Sequence, residues 1–482
     1  MLMMPRSMHT ASGNRTLAFF VMLFLITLCH GGDFPFSSAS SAMLLRTISF
    51  LSTMLFSIAI AVALNILPLP ERRFLSVLRG WLEHRYTFPL TVLIGTILIL
   101  LVHGVQGRYF SPLGYHIPSP GALLLFTTGA ILFTLFAIKG RLSLTSLLLF
   151  SLVWTLALKC IPLIFFPINP VRSDMLPSIA LACQKFVHGE NPYTPNLLNG
   201  QWTFMPYLPM TFLSFLPTLM AGVDMRLMTL MWDTITNALL LWFLMQNKPT
   251  LEEARPQALA LLGWFFFPFL HYRHELYFSV YFTLIVGSFL CLFIAEQKGR
   301  HEKRALLGSA FLFGISIATR QWSWIIFPFY TVMLVRKWKG LGVAVACLAL
   351  VLGLLIIFPF WKANPHLFQL AVLTIYSENL NMGVREQTMG LSYFFYDWHI
   401  QRYLTSAQCT VLGVTFLAAL RSLRSSAVLL QLAVTALVLF LFFNELLSTY
   451  LYLTPTLLVL LFLLRTPLPR DEYTVAPQRA SV

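Results

Sequence analysis

Residues 171–195 read VRSDMLPSIALACQKFVHGENPYTP, which sets Arg172, Asp174, Glu190 and a Gly-Glu-Asn-Pro-Tyr turn directly after the apolar run CIPLIFFP. A carboxylate one or two residues beyond the end of a membrane span sits where the dielectric is falling. That position raises its pKa and makes it a better proton acceptor than in water. Asp174 is therefore a candidate general base, with a solvated loop acid as the plainer reading. Further along, HYRHE at 271–275 and TRQW at 319–322 supply Arg273 and Arg320. Their guanidinium forks suit bidentate binding of phosphate oxygens, although an arginine snorkelling to the interface has the same sequence signature. His271, His274 and Glu275 share a helical face by spacing, and hydrogen-bonded partners explain them more simply than a metal site. The six cysteines contain no CxxC pair and no zinc spacing. No metal or other cofactor is signalled.

These groups need membrane elements to hold them. The chain is 57% hydrophobic and 11% charged, against roughly 45–50% and about 25% for a soluble domain, which makes it a polytopic membrane protein. Its net charge of +15 is divided among short basic clusters between apolar runs: Arg72 to Arg85, Lys139 and Arg141, Lys298 to Arg304, Arg336 to Lys339, Arg421 and Arg424, Arg465 and Arg470. That distribution is the positive-inside pattern rather than a nucleic-acid patch. Arg6 and Arg15 precede the apolar stretch 17–28, which reads as a cleaved signal or a first span. Spans are expected at about 47–66, 88–103, 121–138, 142–163, 226–245, 275–295, 305–318, 322–335, 341–360, 408–420, 427–443 and 447–464. For the basic clusters to share one side, one of 206–221 and 257–270 must fail to cross, as an interfacial or a re-entrant segment. The whole of 1–482 is then a single integral membrane domain, all-α, with about 12–14 transmembrane helices and two long outer stretches, 164–205 and 361–407.

Within the first outer stretch, 175–187 has amphipathic helical spacing. Leu176, Ile179, Ala180, Cys183 and Val187 are expected on the membrane, with Gln184, Lys185 and His188 in water. A Pro-aromatic return, FMPYLP at 204–209, leads back into the bilayer. The second outer stretch sets Glu378, Arg385 and other polar groups among aromatics that can stack on sugar faces; an ordinary amphipathic loop has the same composition. Asp233 lies inside a span and is a functional candidate for that reason, with an internal hydrogen bond as the duller account, and Glu445 reads as a solvated turn. Arg172, Glu190, Tyr193, Tyr207, His274, Gln321, Glu378 and Arg385 form the candidate substrate-binding set. Asp174 is the candidate base, and Arg273, Arg320 and His271 are the candidate phosphate-binding groups.

The order of these elements resembles glycosyltransferase family 87 and its relatives with the GT-C membrane fold. The likeness rests on Asp174 just after a span, the interfacial segment 175–188, the turn Gly189, Asn191, Pro192 and Tyr193, the return Pro206, Tyr207 and Pro209, and Pro328 followed by VRKWKG. It covers roughly 140–340. The chain departs from that pattern at HYRHELYF near 275, and in having Arg320 with Gln321 where a lysine is common. The resemblance implies an inverting transfer of one sugar, a mannose-like hexose or a pentose, from a polyprenyl-phosphate donor to a lipid or glycan acceptor. The site would face outward from a bacterial cytoplasmic membrane, with Asp174 in a lipid-accessible cavity opposite Arg273 and Arg320. Two other classes stay open. A polysaccharide polymerase of the O-antigen type would rely on the late loop and Arg385, and a lipid or sugar transporter would need internal repeats, which no regular period shows.

Overall fold

A backbone inside lipid must satisfy its own N–H and C=O groups, so the apolar runs of this chain become helices. The structure, a computed structural model, describes residues 15–26, 54–64, 66, 84, 86–140, 142–170, 173–198, 200–247, 254–272, 278–297, 301–374, 395, 399–444 and 449–465. The first helices are α1 (Arg15–Ile26), α2 (Met54–Ala63), α3 (Thr87–Tyr109), α4 (Pro120–Ile138), α5 (Leu144–Phe165) and α6 (Met175–Val187). A two-stranded antiparallel hairpin of β1 (Asn196–Leu198) and β2 (Gln201–Thr203) follows, then the short α7 (Pro209–Leu213) and α8 (Leu216–Met220). The central set is α9 (Arg226–Asn247), α10 (Arg255–Phe265), α11 (Pro268–Tyr272), α12 (Ser279–Glu296) and α13 (Glu302–Ile317). The last set is α14 (Trp322–Ala363), α15 (Pro365–Gln369), α16 (Leu404–Ser422), α17 (Ser426–Phe442) and α18 (Leu453–Arg465). Seven of these, α3, α4, α5, α9, α12, α14 and α16, are long and apolar enough to cross a bilayer. The protein is an all-α, multi-pass membrane protein.

The core forms around α12. This helix is apolar on every side and buried on almost every side, as such a composition requires; it packs against α9, α13, α17 and α18. At 42 residues α14 would extend about 60 Å if straight, twice a bilayer's hydrocarbon width. It folds back at Lys339, whose φ of 49° and ψ of −124° leave the helical region. A Cβ on Gly342 would stand 2.1 Å from Leu334 O, so the two halves meet directly at the tip. This is the expected pair of spans, 322–335 and 341–360, with the basic residues in the turn.

One expectation needs correction, and the two segments in doubt take definite forms. The second half of α14 runs to Ala363, and α15 and a π-helical turn, Leu370–Thr374, follow at once, so the second outer stretch opens in helix rather than as a loop from 361. Segment 206–221 is α7 and α8, two five-residue helices opened by Pro209 and Pro217 that cannot cross. Segment 257–270 belongs to a broken helix. Its α10 half starts with Arg255 over the Phe88 ring at the beginning of α3, and its α11 half brings His271 to Thr155, midway along α5.

Candidate functional site

The outer stretch after α5 is built on α6, whose bounds match the spacing. Its apolar face is covered by protein rather than by lipid: Leu176, Ile179 and Cys183 are fully buried against α7 and α8, and Cys183 Sγ donates to Phe212 O at 3.1 Å. Val187, expected on that face, is exposed. Gly189 ends the helix at φ 76°, the left-handed region that glycine adopts at no steric cost. Asn191 Oδ1 then accepts from Tyr193 N at 3.0 Å, an Asx turn that sets up the return. Tyr193 is buried and its hydroxyl donates to Tyr207 O at 3.0 Å, so it pins the return segment instead of presenting a group to solvent. Its ring packs on Phe368 of α15 (centroids 4.9 Å), and Phe212 packs on Phe360 of α14 (5.5 Å). The beginnings of the two outer stretches therefore lie on one face, as the span count requires.

Asp174 occupies the residue before α6. Its carboxylate makes no capping bond and the residue is exposed at the surface, while the protein around it desolvates the carboxyl and pushes its pKa above the usual carboxylate range; its own backbone N–H offsets part of this. Glu190 is exposed on the same stretch and, nearby, raises the pKa of Lys185 against a larger lowering by burial. The Lys185 ammonium donates to Thr194 O (2.9 Å) and Thr194 Oγ1 (2.7 Å), which closes the loop onto α6.

A cavity of about 700 Å³ lies between α14, α16 and α17 and brings together three of the candidate phosphate- and substrate-binding residues, Tyr207, Arg320 and Gln321. Its outer end also holds Asn444 and Tyr450; deeper, the walls are Trp324, Phe329, Leu412, Phe416 and Phe440. Arg320 is 6% exposed, with its guanidinium carbon 3.5 Å from the centre of the Phe278 ring, a cation–π contact that fixes its plane. The tip that carries it is tied to α7: Met210 N donates to Ala318 O (2.9 Å) and Thr211 Oγ1 to Thr319 O (2.7 Å). Gln321 Nε2 donates to Val372 O at 3.1 Å. Asp174 is not among the cavity's lining residues, so the expected placement of its carboxylate in a cavity opposite Arg320 is not met.

His271 is not on that cavity. It lies in the core, where its Nε2 is 3.2 Å from both Thr155 Oγ1 and Phe265 O, the carbonyl freed where α10 breaks. Beside it Lys159 of α5 and Asp233 of α9 form an ion pair at 2.6 Å, and Arg226 binds the Asp224 carboxylate and donates to Pro162 O (2.9 Å) and Phe166 O (2.6 Å). Asp233 thus makes the internal bond that the duller account expects, to a neighbouring helix through Lys159 of α5. Lys159 went unmarked in the sequence, where a lysine inside an apolar span was the available signal. Arg172, Arg273, His274, Glu378, Arg385 and Glu445 lie outside the described residues. Among the described residues no cluster of three or more His, Cys, Asp or Glu side chains could hold a metal ion. Comparison of the chain with family models, with curated proteins and with solved structures gives no match in any of the three.

Proposed function

We propose that the protein is a membrane glycosyltransferase with a GT-C-like bundle, which moves one sugar from a polyprenyl-phosphate donor to a lipid or glycan acceptor at the outer face. The observation that carries this reading is the cavity at Arg320. Its size falls in the range of ligand sites, roughly 300–1,000 Å³. Its form suits an anionic headgroup on an apolar chain, with a fixed guanidinium and amide and phenol groups at the outer rim and aromatic and aliphatic walls within. The leaving phosphate would rest on Arg320. The acceptor hydroxyl must lose its proton to a carboxylate on the opposite face of the sugar, because an oxocarbenium-like transition state is attacked from that side. Asp174 is the carboxylate proposed for that role although it does not line the cavity, so the role requires the donor sugar to extend from Arg320 toward the start of α6; the carboxylate is not spent on capping, and its raised pKa makes it a stronger base than an ordinary loop aspartate.

The test uses purified full-length protein in nanodiscs with a radiolabelled polyprenyl-phosphate sugar. Arg320→Ala should weaken donor binding by about tenfold or more, the scale of a charge-assisted contact. Gly413→Phe, at a wall position where a Cβ meets nothing within 4 Å, should also block the chain. Asp174→Asn should bind donor normally but turn over roughly 10²-fold or more slowly, as for loss of a general base. Wild-type turnover should fall as pH drops through a midpoint above the ordinary carboxylate value, since the base works only when ionised, and Asp174→Asn should lack that limb. Unchanged donor binding in Arg320→Ala overturns the reading; turnover that survives Asp174→Asn but not Arg385→Ala favours the polymerase.

A further inference from the structure

A second, smaller cavity sits between α5, α9, α11 and α12, in the outer half of the bundle, walled by Lys159, Arg226, Thr229, Asp233 and His271 with Phe278 and Phe282. The hydrogen bonds around His271 fix its tautomer. Thr155 Oγ1 gives its one hydrogen to Phe265 O at 2.7 Å, and a carbonyl has none to give. The hydrogen shared with both at 3.2 Å therefore belongs to His271 Nε2. In the neutral ring Nδ1 is then a bare acceptor, and it is buried with no donor among the described residues. Thr229 Oγ1 is buried and unpartnered in the same way, and its residue is 7% exposed. Two orphaned polar atoms on the walls of one cavity, next to an ion pair, call for a ligand that both donates and accepts.

Size selects which. The space open to the centre of a water molecule is about 30 Å³, and a single water needs roughly 10–15 Å³ by that measure, so a sugar ring does not fit and water does. We propose that this cavity is an intramembrane hydration site: water donates to His271 Nδ1, bonds Thr229 Oγ1 and solvates the Lys159–Asp233 pair. The site stands independently of the glycosyltransferase reading. Its effect is to keep a buried ion pair wet, so that Asp233 and Lys159 can separate or exchange a proton in a region that otherwise excludes water. Phe278 lines this cavity and stacks on Arg320 of the larger one, which puts a single ring between the water site and the cationic rim.

Hydroxyl-radical footprinting of the full chain in nanodiscs tests this, because radicals formed from a bound water oxidise the side chains beside it. Phe282, 3% exposed and on the cavity wall, should be oxidised severalfold faster than Phe289 and Phe313, which are as buried but line neither cavity. Thr229→Val, close in shape but without the hydroxyl, should bring the Phe282 rate down while leaving oxidation of Trp324 in the larger cavity unchanged. Equal rates for Phe282 and the two control phenylalanines in the wild type would overturn the proposal. So would a Phe282 rate indifferent to Thr229→Val.

Discussion

Lys159 and Asp233 hold opposite charges 2.6 Å apart inside the bundle, with side chains 10% and 19% exposed. Such a pair is a weak source of net stability, because desolvating two ions offsets most of their attraction, but breaking it by removing one partner leaves an uncompensated buried charge. Lys159→Met alone should therefore cost about 3–5 kcal/mol, seen as a lower melting temperature and earlier loss of the monodisperse peak in detergent. Lys159→Met combined with Asp233→Leu should recover most of that loss. A single mutant as stable as the wild type would mean that the pair does not carry the charge balance of this region. Asp233 was visible in the sequence as an acid inside a span, whereas its partner lies 74 residues earlier, and no spacing rule joins residues on different helices. The same limit hid Arg226, whose guanidinium serves the carbonyls at the end of α5, and Glu296. It also misplaced His271, since its neighbours are the freed carbonyl of a helix break and a threonine from another span.

Helices were the more legible scale. The periodicity of 175–187 gave α6 with the observed bounds, and the basic residues after Pro328 located the fold-back in α14, because a charge cluster cannot sit at mid-bilayer. Periodicity shows that a helix has an apolar face without showing what covers it, so α6 was expected on lipid and lies on α7 and α8. Nor did composition reveal where helices approach most closely. On α13, a Cβ added to Gly314 would come within 2.7 Å of Ala349 O, and one added to Gly353 of α14 within 2.7 Å of the Ile317 side chain. These small residues let the two helices pack backbone to backbone, the usual device where lipid tails supply no hydrophobic drive to associate. The contact at Gly314 is with backbone, which cannot rotate away. Gly314→Ala should accordingly destabilise by about 1–3 kcal/mol, lowering the melting temperature in detergent. Gly104→Ala, on α3 with nothing within 4 Å of the new methyl group, should leave it unchanged or raise it through the better helix propensity of alanine. Equal responses would mean that the α13–α14 interface adjusts freely.

For the whole molecule, charge sets the orientation. Members of two basic clusters meet at Glu296, at the end of α12: its carboxylate binds Lys337 Nζ at 2.9 Å and Arg465 Nη2, and accepts from Ser426 N at the start of α17 at 2.9 Å. A carboxylate at a helix N-terminus is favoured by the helix dipole, so this one side chain ties the ends of α12, α17 and α18 to the fold-back of α14. The opposite end carries the α6 stretch, the Arg320 tip and α15, joined by the aromatic contacts from Tyr193 and Phe212. If the positive-inside rule orients the chain, the Glu296 end is cytoplasmic and everything proposed to handle substrate faces outward. In a background without native cysteines, Glu190→Cys and His366→Cys, both at exposed positions of the two outer stretches, should react with a membrane-impermeant maleimide in intact cells. Arg424→Cys, exposed in the turn between α16 and α17, should react only after permeabilisation. Labelling of Glu190→Cys without His366→Cys would place the outer stretches on different sides and break the common face. The reverse of the whole pattern would keep the architecture but turn the Arg320 cavity toward the cytoplasm, where an outward-facing lipid-linked donor cannot reach it.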